Sequence, residues 1–285
     1  MALGAFFLSL LHKKTWNWQC VVCFCYHKCA GEKRKDGQRM RLTVLGFESP
    51  APGPGGATPG YLLETAAGKL LIDCGSGVYA QLMKHIRIEE LSAVVLSHYH
   101  HDHICDMPIL QYGVMMASIF GKRNGTFPVY GPAEPQDWAH KMTYHQYTVL
   151  HTVMENSVLH LAGVEISFLR TDHPIMCYAM KITDGRKTIV YGADTGPGTN
   201  WDIFAVDCDL FICESTFTTE YVPRGKRAHL SAREAAQMAE RIRAKQLLLT
   251  HLSPDIPRKK YEDDAAAGRY SGCWQLAEIG QVIEI

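Results

Sequence analysis

The sequence predicts an α/β fold, and three observations point to it. Short apolar runs rich in β-branched or leucine residues recur at 91–96, 188–193, 210–213 and 246–249. Segments with a helical apolar pattern, such as 107–120 and 232–242, lie between them. Run after run ends on its C-terminal side in a histidine or a carboxylate. Strand signals alternating with helix signals mark a layered α/β structure, and in such structures ligands collect at strand ends.

The first strand is expected at 40–46. Residues 49–60 are rich in Pro and Gly and must be loop. Residues 61–65 and 69–73 read as a hairpin whose turn contains Gly68, and 78–85 reads as a helix. Asp73 closes the hairpin and leads into small residues. It suits either a helix N-cap or an acceptor for the free ring N–H of a metal-bound histidine.

Residues 91–96 form a buried strand, and Ser97-His98-Tyr99-His100-His101-Asp102-His103 follows it directly. Several imidazoles and a carboxylate are costly to bury unless something takes their lone pairs, and a divalent metal does so. His98 and His100, two apart, can point the same way from an extended segment, while a turn brings Asp102 and His103 to a second position. After this loop, 107–120 reads as an apolar helix, 127–131 as strand and turn, 134–156 as an amphipathic stretch, and 164–169 as a half-buried strand. His140, His145 and His151 lack companions at ligand spacing and are expected at the surface or in packing.

The strand-end chemistry then repeats. His173 follows 164–169, Asp194 follows 188–193, Glu214 follows 210–213, and His251 follows 246–250. With the first loop this supplies seven candidate ligands: His98, His100, Asp102, His103, His173, Asp194 and His251. They fit two sites. His98, His100 and His173 would take one ion, Asp102, His103 and His251 the other, and Asp194 would bridge. Histidine-rich, oxygen-assisted coordination favours zinc, with manganese or iron as alternatives.

The charge distribution bears on substrate. Net charge is zero, but residues 1–39 carry seven Lys or Arg against two Asp or Glu. The remaining body is therefore acidic by five charges, which argues against broad contact with long nucleic acid. Ten cysteines are present, and the six in the body mostly sit in apolar strings, as free thiols in a reducing cytoplasm do. The other four, Cys20, Cys23, Cys25 and Cys29, crowd the N-terminal 39 residues. That segment lacks the charge order of a secretory signal, and its apolar start is too short to span a bilayer. It is expected to be an extension outside the fold, with an accessory metal cluster or a targeting segment as the other readings. Met40 is a plausible true start.

His98-x-His100-x-Asp102-His103, followed by His173, Asp194 and His251 in order, resembles the ligand pattern of the metallo-β-lactamase superfamily. The resemblance covers 40–285 and implies the αββα sandwich of that superfamily. Cys213-Glu214-Ser215-Thr216 resembles the His-Glu-Ala-Thr motif of its tRNase Z branch, with cysteine replacing the first histidine. Ala228-His229-Leu230-Ser231 resembles that branch's His-Ser-Thr motif. The resemblance implies that Glu214 and His229 assist phosphodiester cleavage, so Asp102, Glu214 and His229 are the candidate catalytic residues. It also implies a homodimer packed through 107–120.

One departure narrows the reading. Only twenty residues separate His173 from Asp194, where tRNA-cutting relatives carry a long basic arm. This favours a small phosphodiester over tRNA; the chain also resembles the armless tRNase Z-like hydrolases of bacteria and phages, and that resemblance implies hydrolysis of 3′,5′-cyclic mononucleotides. A tRNA 3′-end endonuclease and a lactonase or β-lactamase-like hydrolase are the rival readings.

Overall fold

The structure, a computed structural model, describes residues 40–285 apart from Lys226. The expected extension, residues 1–39 with its cysteine cluster, lies outside the described residues.

Strand β1 (Arg41–Gly46) pairs antiparallel with β2 (Gly60–Thr65), and β2 turns into β3 (Gly68–Ile72) as the hairpin pattern predicts. Side chains alternate across these strands. Leu42, Val44, Tyr61, Leu63, Leu70 and Ile72 enter one core, while Leu45, Leu62 and Leu71 enter a second core on the opposite face. Burial on both faces is why these strands read as near-continuous apolar runs. Parallel strands β4 (Ala93–Val95), β5 (Phe127–Pro132) and β6 (Thr148–Val153) extend this sheet beyond β3. Among the described residues the order is β14-β1-β2-β3-β4-β5-β6, with β14 (Val282–Glu284) closing the far edge.

The second sheet is built from β7 (Val158–Leu161), β8 (Val164–Arg170), β9 (Tyr178–Thr183), β10 (Thr188–Tyr191), β11 (Leu210–Glu214), β12 (Gln246–Thr250) and β13 (Cys273–Leu276), in reverse spatial order. It is antiparallel from β7 to β10 and parallel from β10 to β13. Ile166, Phe168, Met180, Ile182, Tyr191 and Phe211 from this sheet share the first core with residues of β1 to β4. Helices cover the outer faces. Helix α1 (Val78–Leu82) and, after the short α2 (His101–Ile104), helix α3 (Met107–Ile119) contribute Val78, Leu82, Leu110 and Val114 to the core on the first sheet's outer side. After the short α4 (Gln136–Ala139), α5 (Ala232–Arg241) packs on β11 and β12, and α6 (Arg258–Ala267) packs against α5. The layers are helix, sheet, sheet, helix: the αββα sandwich of the metallo-β-lactamase fold.

Two elements differ from the sequence expectation. The helix expected over 78–85 ends at Leu82, and the chain tightens there, His85 N–H donating to the Leu82 carbonyl. The amphipathic stretch 134–156 divides into α4, a 3₁₀ turn (His140–Met142) and β6. His140, His145 and His151 are exposed, as expected.

Candidate metal centre

The ends of β3, β4, β8, β10, β11 and β12 meet on one side of the sandwich, and the polar turns after them share that end. Gly75 is what lets the β3 turn approach the metal loop. A Cβ there would sit 2.0 Å from the Asp102 carbonyl oxygen, which no side chain tolerates. Three non-glycine residues of these turns have left-handed backbone: Asp73 (φ 55°), Ala193 (φ 50°) and His251 (φ 60°). Such conformations cost on the order of 1–3 kcal/mol and cluster where side chains must be aimed.

The seven ligand candidates converge into two groups, and a third, overlapping group brings His229 to Asp194 and His251. In the first, His100 Nδ1 lies 3.1 Å from His98 Nε2 and 3.0 Å from His173 Nε2. Asp194 Oδ2 completes it, 3.4 Å from His98 Nε2 and 3.8 Å from His173 Nε2. In the second, His251 Nε2 lies 3.3 Å from His103 Nε2 and 3.2 Å from Asp102 Oδ2. Asp194 Oδ1 is 3.1 Å from both imidazole nitrogens of this group. Asp194 thus turns one oxygen to each group.

The donors fit divalent metal. Ligand atoms about 2.0–2.1 Å from a tetrahedral ion stand about 3.3 Å from one another, the separation seen here. The outer ring nitrogens show why the inner ones are lone pairs. His103 Nδ1 donates to Asp73 Oδ2 at 2.8 Å. His98 Nδ1 lies 3.0 Å from Ser97 Oγ, which donates to the same Asp73 oxygen at 2.8 Å. His251 Nδ1 lies 2.7 Å from Thr216 Oγ1, which donates to Glu214 Oε2 at 2.8 Å. A carboxylate only accepts, so each chain places the proton on the outer nitrogen and leaves Nε2 free. Asp194 Oδ1, buried and without a hydrogen-bond donor among the described residues, is aimed at the same point.

Electrostatics agree. Burial, with repulsion from neighbouring imidazoles, lowers His98, lowers His100 to about 4 and lowers His173 to about 3, so all three are neutral, the ligand form. Burial disfavours charge on His103 too, but Asp194 and Asp73 outweigh it and raise its pKa well above the ordinary value. A pocket that holds a proton there would equally hold a metal cation. Burial alone would raise Asp194 and Asp102, but the surrounding histidines hold both carboxylates below their usual range.

Glu214 and His229 are also brought together. His229 Nδ1 lies 2.8 Å from Glu214 Oε1, and the His229 ring stacks on His251 with centroids 5.4 Å apart. Glu214 is fully buried and accepts from Thr195 N–H at 2.9 Å as well as from Thr216. Burial opposes charge on His229, but Glu214 dominates and raises its pKa to about 9. A capping box, Ser231 with Glu234, starts α5 two residues later and fixes the turn that carries His229.

Of the two readings open for Asp73, the structure selects the acceptor. It caps no helix and takes hydrogen bonds from Ser97 N–H, Ser97 Oγ, His103 and Tyr191. Sequence reasoning missed three contributors. Ser97 relays His98 to Asp73, Thr216 relays His251 to Glu214, and Ser49 Oγ donates to Asp102 Oδ2 at 3.0 Å. Ser97 and Thr216 adjoin the motifs and carried a signal; Ser49, in a distant loop, carried none.

Comparison with known proteins agrees with this geometry. The family described as the β-lactamase superfamily domain matches residues 69–252. A probable metallo-hydrolase of Bacillus subtilis, YhfI, is 39% identical over 75% of this chain and 87% of its own length. The crystal structure of YhfI superimposes with a TM-score of 0.83 at 36% identity, covering 87% of this chain and all of that one. The short form of human tRNase Z matches with a TM-score of 0.66 at 22% identity, over 85% of this chain and 98% of its own, a likeness of fold.

Proposed function

Given that the chain belongs to the β-lactamase superfamily and is a metal-dependent hydrolase, we propose that it hydrolyses small phosphodiesters, 3′,5′-cyclic mononucleotides foremost, to nucleoside monophosphates. The observation that carries this reading is the His229–Glu214 pair beside the metal centre. When the ester P–O bond of a phosphodiester breaks, the alcohol oxygen leaves as an alkoxide and needs a proton, and a histidine held cationic by a buried glutamate supplies one.

His98, His100 and His173 would hold one ion and Asp102, His103 and His251 the other, with Asp194 between them; zinc suits this donor set. Two such ions supply Lewis acidity and lower the pKa of water to near neutrality. The chain's own residues do the rest. Glu214 holds the Nδ1 proton of His229 and leaves the Nε2 proton to pass to the leaving oxygen. Asp102 aligns the nucleophilic side of the site, itself held by Ser49.

Small size of substrate is supported by the segment between His173 and Asp194. It is β9, the four-residue turn Asp184-Gly185-Arg186-Lys187, and β10. Asp184 Oδ1 ties that turn closed by accepting the Arg186 and Lys187 N–H groups at 2.9 and 2.8 Å. Such a hairpin offers no arm to grip a long RNA, and the acidic body gives no compensating charge.

The same reading places the enzyme in the cytoplasm as a homodimer joined through α3. No described helix is long and apolar enough to cross a membrane. The extension 1–39 is proposed to be dispensable for the hydrolase domain.

The test is one assay series: metal-loaded enzyme and its His229→Ala variant against cyclic mononucleotides, a lactam, a lactone and a precursor tRNA. His229-dependent hydrolysis of cyclic mononucleotides is expected. His229-dependent cutting of precursor tRNA alone would establish the endonuclease reading. Turnover of a lactam or lactone that ignores His229 would establish the third.

A further inference from the structure

Three of the five histidines in the metal centre have their outer ring nitrogens held by hydrogen bonds. The outer nitrogens of His98, His103 and His251 are anchored through Asp73 or Thr216, and His100 faces the centre through Nδ1. His173 Nδ1 is buried and has no hydrogen-bond partner among the described residues. Its ring is therefore not oriented by any side-chain acceptor. Its direction must come from the backbone that carries it.

Of the side chains that hold this backbone, Arg170 is the one that reaches the His173 carbonyl. Arg170, the last residue of β8, donates from Nη1 to the carbonyls of Ile175 at 2.7 Å and Cys177 at 3.1 Å. From Nη2 it donates to the carbonyl of His173 itself at 3.3 Å. The guanidinium thus fills the inside of the 171–177 turn. Its planar fork of donors suits several carbonyls at once. Thr171 closes the base of the same turn, its N–H donating to Cys177 O at 3.1 Å and its Oγ1 to Asp194 O at 2.7 Å. The two share the Cys177 carbonyl, and Arg170 alone of the two reaches the carbonyls of His173 and Ile175.

We infer that Arg170 is a positioning residue for the first metal site, holding His173 through the main chain in place of the acceptor that its ring lacks. This rests on the assignment of His98, His100 and His173 to one ion. A lysine in its place keeps the charge but has a compact ammonium that cannot span three carbonyls. Loss of an outer partner of a metal ligand typically weakens metal binding about 10–100-fold.

The experiment is a cobalt titration of the metal-free protein, followed by the visible d–d absorption of the bound ion and by calorimetry. Wild type is expected to take up two ions in two steps, and His173→Ala to lose one of them, which identifies the first-site step. Arg170→Lys is expected to weaken that same step about 10–100-fold and to leave the other step unchanged. The unchanged step shows that the variant is folded and separates positioning from general destabilisation. Two unaltered steps in Arg170→Lys, or an equal loss in both, would overturn the role of Arg170. A wild type that takes up a single ion would overturn the two-site assignment itself.

Discussion

Glu214 Oε1 stands 2.8 Å from His229 Nδ1, and Glu214 Oε2 receives Thr216 Oγ1 at 2.8 Å. The buried carboxylate is therefore shared between the candidate proton donor, His229, and the ligand His251, which it reaches through one hydroxyl. The proton on His229 and the orientation of the second metal site depend on the same group.

Replacing His229 by alanine is expected to lower kcat about 10²–10⁴-fold with KM little changed, the range for loss of a positioned general acid. Because Glu214 raises the His229 pKa to about 9, activity is expected to fall as pH rises and the proton is lost. Two bound dications oppose that proton, so the fall lies at or below pH 9. Glu214→Gln removes the raising charge and should move the basic limb downward. A pH–rate profile whose basic limb is the same in wild type and Glu214→Gln would contradict the assignment.

Asp194 turns an oxygen to each ligand group, so Asp194→Ala is expected to abolish activity and weaken both sites. Metal analysis should give two ions per chain for the wild type and fewer than one for the variant. Chelation should also lower Tm. A ligand held at 100 times its Kd stabilises by about 2.7 kcal/mol, a shift of roughly 5–10 °C for a domain of this size.

The ligands were legible because strand burial and strand-end chemistry are written locally. An apolar run followed by His or Asp needs no tertiary knowledge to recognise, and the division into two groups follows from backbone direction. What was not legible depends on chains that meet only in the fold. Ser49 lies 53 positions from Asp102, and Arg170 acts through the curl of a turn rather than through any side-chain pattern. The left-handed backbone of Ala193 and His251 was hidden for the same reason, since neither residue type announces it.

A chain beginning at Met40 is expected to fold and retain its activity. Met40 is buried, and its carbonyl accepts from Ile285 N–H at 3.0 Å, so the hydrolase domain closes on itself at that residue. Circular dichroism and kcat/KM matching the full chain would support this. Insoluble or inactive protein would show that residues 1–39 contribute.

Helix α3 leaves Ile109, Tyr112, Met116 and Ile119 exposed, with Phe120 just beyond its end. Light scattering is expected to give about twice the 31.9 kDa chain mass, falling to the monomer when Tyr112 and Phe120 are both changed to glutamate. A wild type of monomer mass at micromolar concentration would remove the dimer from the reading.

Asp73 serves both ligand groups. It is fully buried and accepts from Ser97 N–H at 2.7 Å, Ser97 Oγ at 2.8 Å, His103 at 2.8 Å and Tyr191 OH at 2.6 Å. Through these bonds it orients His98 in one group and His103 in the other. Asp73→Asn keeps the shape but replaces one accepting oxygen with an NH₂, which would meet donors on Oδ2 and leave them unpaired. Affinity for both ions is expected to drop about 10–100-fold, where Arg170→Lys weakens one site alone. Tyr191→Phe deletes one bond to the carboxylate and no charge, and should cost about 1.5–3 kcal/mol of stability with both ions retained. Calorimetric metal titration of the two variants separates these effects. An Asp73→Asn protein with wild-type affinity at either site would show that the histidines on that site are held by their backbone alone.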